Sequence, residues 1–125
     1  MTPFPLDPIE DADFRATGQF EDTRLDLRMW GNADLRAKSR LDVFLEAADR
    51  QSVAAGVKEV VVDFRELVFM NSSCLKALVT WLGRAQECPA HERYTIRFIK
   101  EPAAHWQMRS FKALAAFAGD ILTVE

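Results

Sequence analysis

The chain has 125 residues, a formal net charge of -3 and 49% hydrophobic content, which suits one domain with a proper core and is too rich in Leu, Val, Ile and Phe for a disordered protein. No dense Lys/Arg cluster offers an electrostatic footprint for nucleic acid or an anionic membrane, and no apolar run approaches the ~20 residues needed to span a bilayer. Nucleic-acid binding and membrane insertion are therefore excluded.

In chain order, Met1–Asp13 is rich in proline and acidic residues and reads as an extended or mobile lead-in to a domain over Phe14–Glu125. It lacks the basic and apolar regions of a signal peptide, so a cytoplasmic location is expected. Phe14–Phe20 and Thr23–Trp30 read as a strand pair, the second alternating Leu25, Leu27 and Met29 against Arg24, Asp26 and Arg28, with one face dry and the other wet. A helix from about Asp34 to Ala55 lines up Leu41, Phe44, Leu45, Ala48 and Ser52, and Gly56 is a fitting stop. Strand and helix then alternate through Lys58–Phe64, Ser72–Glu87, Arg93–Ile99, Pro102–Ala118 and Ile121–Val124. The predicted fold is an α/β single domain, a mainly parallel sheet of four or five strands with helices mostly on one side.

The most informative segment is Val60–Leu78. Val60-Val61-Val62-Asp63-Phe64 has the pattern of an inner parallel strand covered on both sides, and a short turn leads from it to Asn71-Ser72-Ser73. Asn71 suits the N-cap, with Ser72 and Ser73 in the first turn of the helix. A hydroxyl there is exposed at the positive end of the helix dipole, which favours an added phosphate; the same residues also serve simply as a good helix start. Asp63 stands where open sheets often place functional groups, and a cap or turn role suits it better than proton chemistry.

Along the helix, Leu75, Leu78, Val79 and Leu82 form a stripe expected to face the sheet, with Cys74, Ala77, Trp81 and Cys88 about 100° round the axis and Lys76, Thr80 and Arg84 on the solvent side. Trp81 on that flank either packs under a neighbouring helix or anchors a partner. Cys74 and Cys88, 14 residues apart on one helix, are separated by roughly 20 Å and cannot pair within the chain. Cys74 is either an apolar filler or a thiol acidified by the helix dipole. In the last helix Gln107, Phe111, Leu114 and Ala118 share one face and Trp106, Ser110, Ala113 and Phe117 another. So wide an apolar surface admits self-association beside core packing.

Catalytic constellations are poor. His91 and His105 are the only histidines and form no metal-ligand spacing, so neither metal nor cofactor is expected. The five glycines are scattered, with no phosphate-binding loop. There is no Gly-x-Ser-x-Gly elbow, and a hydrolase built on Ser72 would need His91 or His105 brought to it by folding.

The run Met70-Asn71-Ser72-Ser73-Cys74-Leu75 after an apolar strand resembles the core of the STAS family, the sulfate-transporter and anti-sigma-factor-antagonist domain, whose pattern is hydrophobic-Asp-Ser-Ser-Gly-Leu. The similarity is strong over Val60–Leu82 and has a weaker echo at Phe111–Val124. Asn71 stands in place of the acid and Cys74 in place of the glycine. The resemblance implies a non-enzymatic binding module in a bacterial partner-switching pathway, phosphorylated at Ser72, with Ser73 as second choice. It further implies an anti-sigma-type serine kinase of the histidine-kinase-like ATPase fold as partner, a phosphatase that resets the module, and a contact surface of Asn71, Ser72, Ser73, Cys74, Lys76 and Trp81. The alternative within the family is an unphosphorylated subunit that braces an ATPase in a transport or other multiprotein complex.

Overall fold

Four consecutive strands of this protein run parallel and lie side by side in the order in which the chain makes them. The computed structural model describes residues 6–125. Its elements are β1 (Ile9–Glu10), β2 (Phe14–Glu21), β3 (Arg24–Ala33), a 3-10 turn (Leu35–Ala37), α1 (Lys38–Ala55), β4 (Glu59–Met70), α2 (Ser72–Glu87), β5 (Thr95–Ile99), α3 (His105–Phe117) and β6 (Leu122–Val124). They form one six-stranded sheet ordered β1-β2-β3-β4-β5-β6. β1, β2 and β3 pair antiparallel, whereas β3 through β6 pair parallel. Each parallel step carries one helix and moves in the same direction across the sheet, so right-handed crossovers place α1, α2 and α3 on the same face.

The sheet has one strand more than expected, because part of the lead-in joins it. Residues 1–5 lie outside the described residues, but Ile9 pairs with Ala16, and both Leu6 and Ile9 are buried in the same core as the rest of the chain. The boundary drawn at Phe14 therefore cuts through packed structure.

α1 buries Leu41, Phe44, Leu45, Ala48 and Ser52, the face expected from their spacing, and ends at Gly56 in the left-handed conformation (φ 71°). Its start is later than expected: Asp34 caps the 3-10 turn by accepting from the Arg36 N–H at 2.9 Å, and the α-helix begins at Lys38. β3 buries Leu25, Leu27 and Met29 against the helices. On the open face Arg28 meets Glu66 at 3.2 Å and Arg97 meets Glu59 at 3.2 Å, while Arg15 and Arg28 lie over the Trp30 ring. Val61 belongs to this open face, between Asp26 and Arg97, and is buried without a helix above it. Its cross-strand neighbours there are charged, so β4 is an inner strand with helices on one side only.

β4 departs most from the sequence reading. It continues as strand through Arg65–Met70, where a turn was expected. Its register against β3 slips twice, between the pairs Arg28↔Asp63 and Trp30↔Glu66 and between Gly31↔Leu67 and Asn32↔Phe69. Each slip is a bulge that gives β4 one extra residue. The buried positions facing the helices are accordingly Val60, Val62, Phe64, Leu67 and Met70, a spacing that changes from two to three. Asp63 supports the first bulge: its carboxylate accepts from the Arg65 N–H at 2.9 Å and holds the Arg65 guanidinium at 2.8 Å. Those hydrogen bonds keep its carboxyl below the usual carboxylate range.

A buried relay ties the helix layer to the sheet. Trp81 of α2 is completely enclosed and donates its indole N–H to the Tyr94 hydroxyl at 2.9 Å; Tyr94 in turn donates to Asp49 of α1 at 2.6 Å. Trp81 is thus a core residue rather than a partner anchor. Burial and then the Asp49 carboxylate push the Tyr94 phenol upward from its ordinary value. An acid that holds its proton more tightly in the folded chain gives stability that is full below the unfolded pKa of about 10 and is lost as pH rises above it. Chemical denaturation between about pH 9 and 11 should show the native protein losing up to ~1.4 kcal/mol per pH unit relative to Tyr94→Phe. Parallel pH profiles for the two proteins would contradict the burial of this phenol.

Candidate functional site

The C-terminal ends of β3 and β4 stop side by side, with Ala33 opposite Met70, and each ends in a side-chain cap. Asn71 extends the ladder by one bond, its N–H reaching the Ala33 carbonyl at 2.9 Å. Its own backbone is extended (φ -75°, ψ 169°), and its Oδ1 accepts from the Cys74 N–H at 2.9 Å. That satisfies one of the unpaired donors of the first turn and leaves the N–H groups of Ser72 and Ser73 without an intrahelical acceptor. Asp34 does the same work for the neighbouring turn, and its carboxyl is held below the usual range, chiefly by the hydrogen-bonded Arg36 side chain. The two turns are stitched together where the Cys74 Sγ–H donates to the Asp34 carbonyl at 3.3 Å.

This arrangement sorts the residues singled out in the sequence. Ser72 is exposed, Asn71 and Ser73 are half-buried, and Lys76 is exposed one turn further along the helix. Cys74 and Trp81 are buried and belong to no surface. The face of α2 that packs inward is Cys74, Ala77, Leu78, Trp81, Leu82 and Ala85, rotated from the expected stripe, so that Leu75 is half-buried and Val79 exposed. Burial first, then the charges of Asp34 and Asp42, push the Cys74 thiol up, which makes it a filler and not a nucleophile. The place that the STAS pattern gives to glycine is occupied here by a side chain with a specific hydrogen bond.

Three exposed apolar residues near this turn were not legible beforehand. Val68 and Phe69, separated from the cap by the buried Met70, are 67% and 47% exposed, and Leu35, which opens the neighbouring 3-10 turn, is 66% exposed. Their signal in the sequence was the run Leu67-Val68-Phe69-Met70, longer in apolar residues than a turn requires. The site therefore presents one hydroxyl and one ammonium with apolar side chains close by, a composition suited to a protein surface. Among the described residues no base is hydrogen-bonded to the Ser72 hydroxyl, and His91 and His105 are both exposed. Nor does any group of three His, Cys, Asp or Glu side chains among them approach a metal-binding arrangement. No helix among them is long and apolar enough to cross a membrane.

No family model matches the sequence, and no curated protein matches it. Solved structures do. An anti-sigma factor antagonist from Mycobacterium paratuberculosis superposes with a TM-score of 0.65 at 14% identity, covering 90% of this chain and 85% of that one. The anti-sigma factor antagonist SpoIIAA in its unphosphorylated form gives 0.58 at 18% identity over 88% of this chain and 87% of that one. The Bacillus cell fate determinant SpoIIAA in its phosphorylated form gives 0.57 at 20% identity, covering 88% and 90%. The chain has the fold of anti-sigma factor antagonists, the STAS-type α/β domain.

The cap and the displayed hydroxyl separate cleanly in a stability measurement. Asn71→Ala removes the acceptor for the Cys74 N–H and should cost about 1 kcal/mol in urea denaturation. Ser72→Ala alters an exposed side chain and should stay within about 0.5 kcal/mol of the parent. A larger loss at Ser72 than at Asn71 would reverse these roles.

Proposed function

We propose that this protein is a binding module of a partner-switching pathway, not an enzyme, and that phosphorylation of Ser72 controls its contact with a serine kinase of the histidine-kinase-like ATPase fold. A phosphatase returns it to the unmodified state. The observation that carries the reading is the Asn71-capped start of α2, where Ser72 is the exposed hydroxyl, on a fold shared with a protein solved both with and without phosphate.

The electrostatics support a switch. A phosphoryl group brings about -1.5 to -2 charges and three acceptor oxygens. At Ser72 it meets the first-turn N–H groups of α2 and lies one helical turn from Lys76, so the modified chain holds it without unfolding. Against a partner the effect is opposite. Val68, Phe69 and Leu35 are apolar and exposed, and an interface that buries them would have to bury the new charge as well, at a desolvation cost and against any acidic group it meets. Unmodified protein binds and modified protein is released.

Binding titrations with Ser72 variants test this directly. Ser72→Ala should bind the kinase with affinity close to the parent, whereas Ser72→Asp should bind at least tenfold more weakly while remaining folded, because a carboxylate at a helix start is tolerated. Calorimetric affinities that are equal for the two variants would place the turn outside the interface and reject the reading.

A further inference from the structure

β5 ends at Ile99, opposite Asp63, so from Phe64 to Met70 β4 is paired on the β3 side only. Phe64 and Leu67 are buried on this unpaired edge, where carbonyls have no water to turn to, while Val68 is exposed. α3 supplies the partners. Gln107, completely buried, donates from Nε2 to the carbonyls of Phe64 at 2.8 Å and Leu67 at 3.0 Å, and its Oε1 accepts from the Glu101 N–H at 2.8 Å. Beside it the indole N–H of Trp106 donates to the Val68 carbonyl at 2.8 Å.

The positions of these bonds are informative. Phe64 lies in the first bulge, and Leu67 and Val68 flank or form the second. A bulged strand has lost its regular ladder and with it the ordinary means of fixing its path. The amide of Gln107 is oriented by its surroundings, two carbonyls on one side and an N–H on the other, and uses both donors and its oxygen. An apolar residue would fill this core position of α3 equally well but would leave the strand's carbonyls unpaired.

We infer that Gln107 and Trp106 are positioning residues for Ser72: from α3 they fix the bulged tail of β4, and the end of that tail determines where Asn71 caps α2 and how Ser72 is presented. The inference rests on Ser72 as the switch residue, but its test does not require a kinase.

Gln107→Met retains the length of the side chain and removes all three bonds; Trp106→Phe retains the ring against Phe111 and removes one. Amide hydrogen exchange, read residue by residue by nuclear magnetic resonance on the full chain, should accelerate about tenfold at the hydrogen-bonded amides of Asn71 and Cys74 and no more than about twofold at Val60 and Val62. The resonances of Ser72 and Cys74 should shift in both variants, which a residue that merely adds stability would not cause. If Gln107→Met does not fold, Trp106→Phe alone decides, with the acceleration confined to Asn71 and Cys74. Uniform acceleration along β4, an unchanged tail, or resonances of Ser72 and Cys74 left in place overturns the inference. A normal exchange response in a protein whose Ser72 is never phosphorylated would reject the switch and leave the positioning intact.

Discussion

The backbone accounting of one strand edge governs the functional end of this molecule. β4 extends to Met70 although its neighbour β5 has ended opposite Asp63, and an extended chain can persist there only if its polar groups find partners. β3 serves one edge through a ladder with two register slips. On the other edge, side chains of α3 replace a strand, with Gln107 and Trp106 donating to three carbonyls between them. With these bonds made, the chain reaches Asn71 in an extended conformation with the Ala33 carbonyl in reach, and α2 starts beside the 3-10 turn that follows β3.

The layering then decides what that end displays. All crossovers have one hand, so the helices share a face, and the opposite face is stabilised by cross-strand charge pairs instead of a second layer. Most of those pairs are exposed and contribute little individually, but they keep the open face charged, with Arg15 and Arg28 over its Trp30 ring. Exposed apolar side chains include Val68, Phe69 and Leu35 near the exposed Ser72 hydroxyl, beside Val43, Val79, Met108 and Phe117 on the helices. A helix start that favours negative charge, placed near apolar side chains that oppose burying it, is the physical basis of the proposed phosphate-controlled contact.

Much of this was legible in the sequence because it depends on local rules. The inward face of α1 follows from helical spacing, the cap at Asn71 from side-chain chemistry, and the strand–helix alternation from Lys58 onward from hydrophobic period. What escaped depends on tertiary partners. The bulges change the inward spacing of β4 from two to three, and a rule of alternation reads such a segment as a turn. The inward face of α2 was placed on its large apolar residues, Leu75 and Val79, whereas the small Cys74, Ala77 and Ala85 let the helix lie close to its neighbours and carry Trp81 into the core. Gln107 was grouped correctly with Phe111 and Leu114, but nothing local indicates that its amide serves a strand more than 35 residues earlier. Ile9 joins the sheet because β2 offers it an edge, which its own proline-rich surroundings do not announce.

The central claim is that the hydroxyl at the start of α2 receives the regulatory phosphate. Incubating the purified protein with the proposed serine kinase and ATP, followed by peptide mass spectrometry, tests that claim most directly. The account expects a single phosphate on Ser72, abolished by Ser72→Ala and not transferred to Ser73. Phosphate on another residue, or undiminished incorporation into Ser72→Ala, would contradict it.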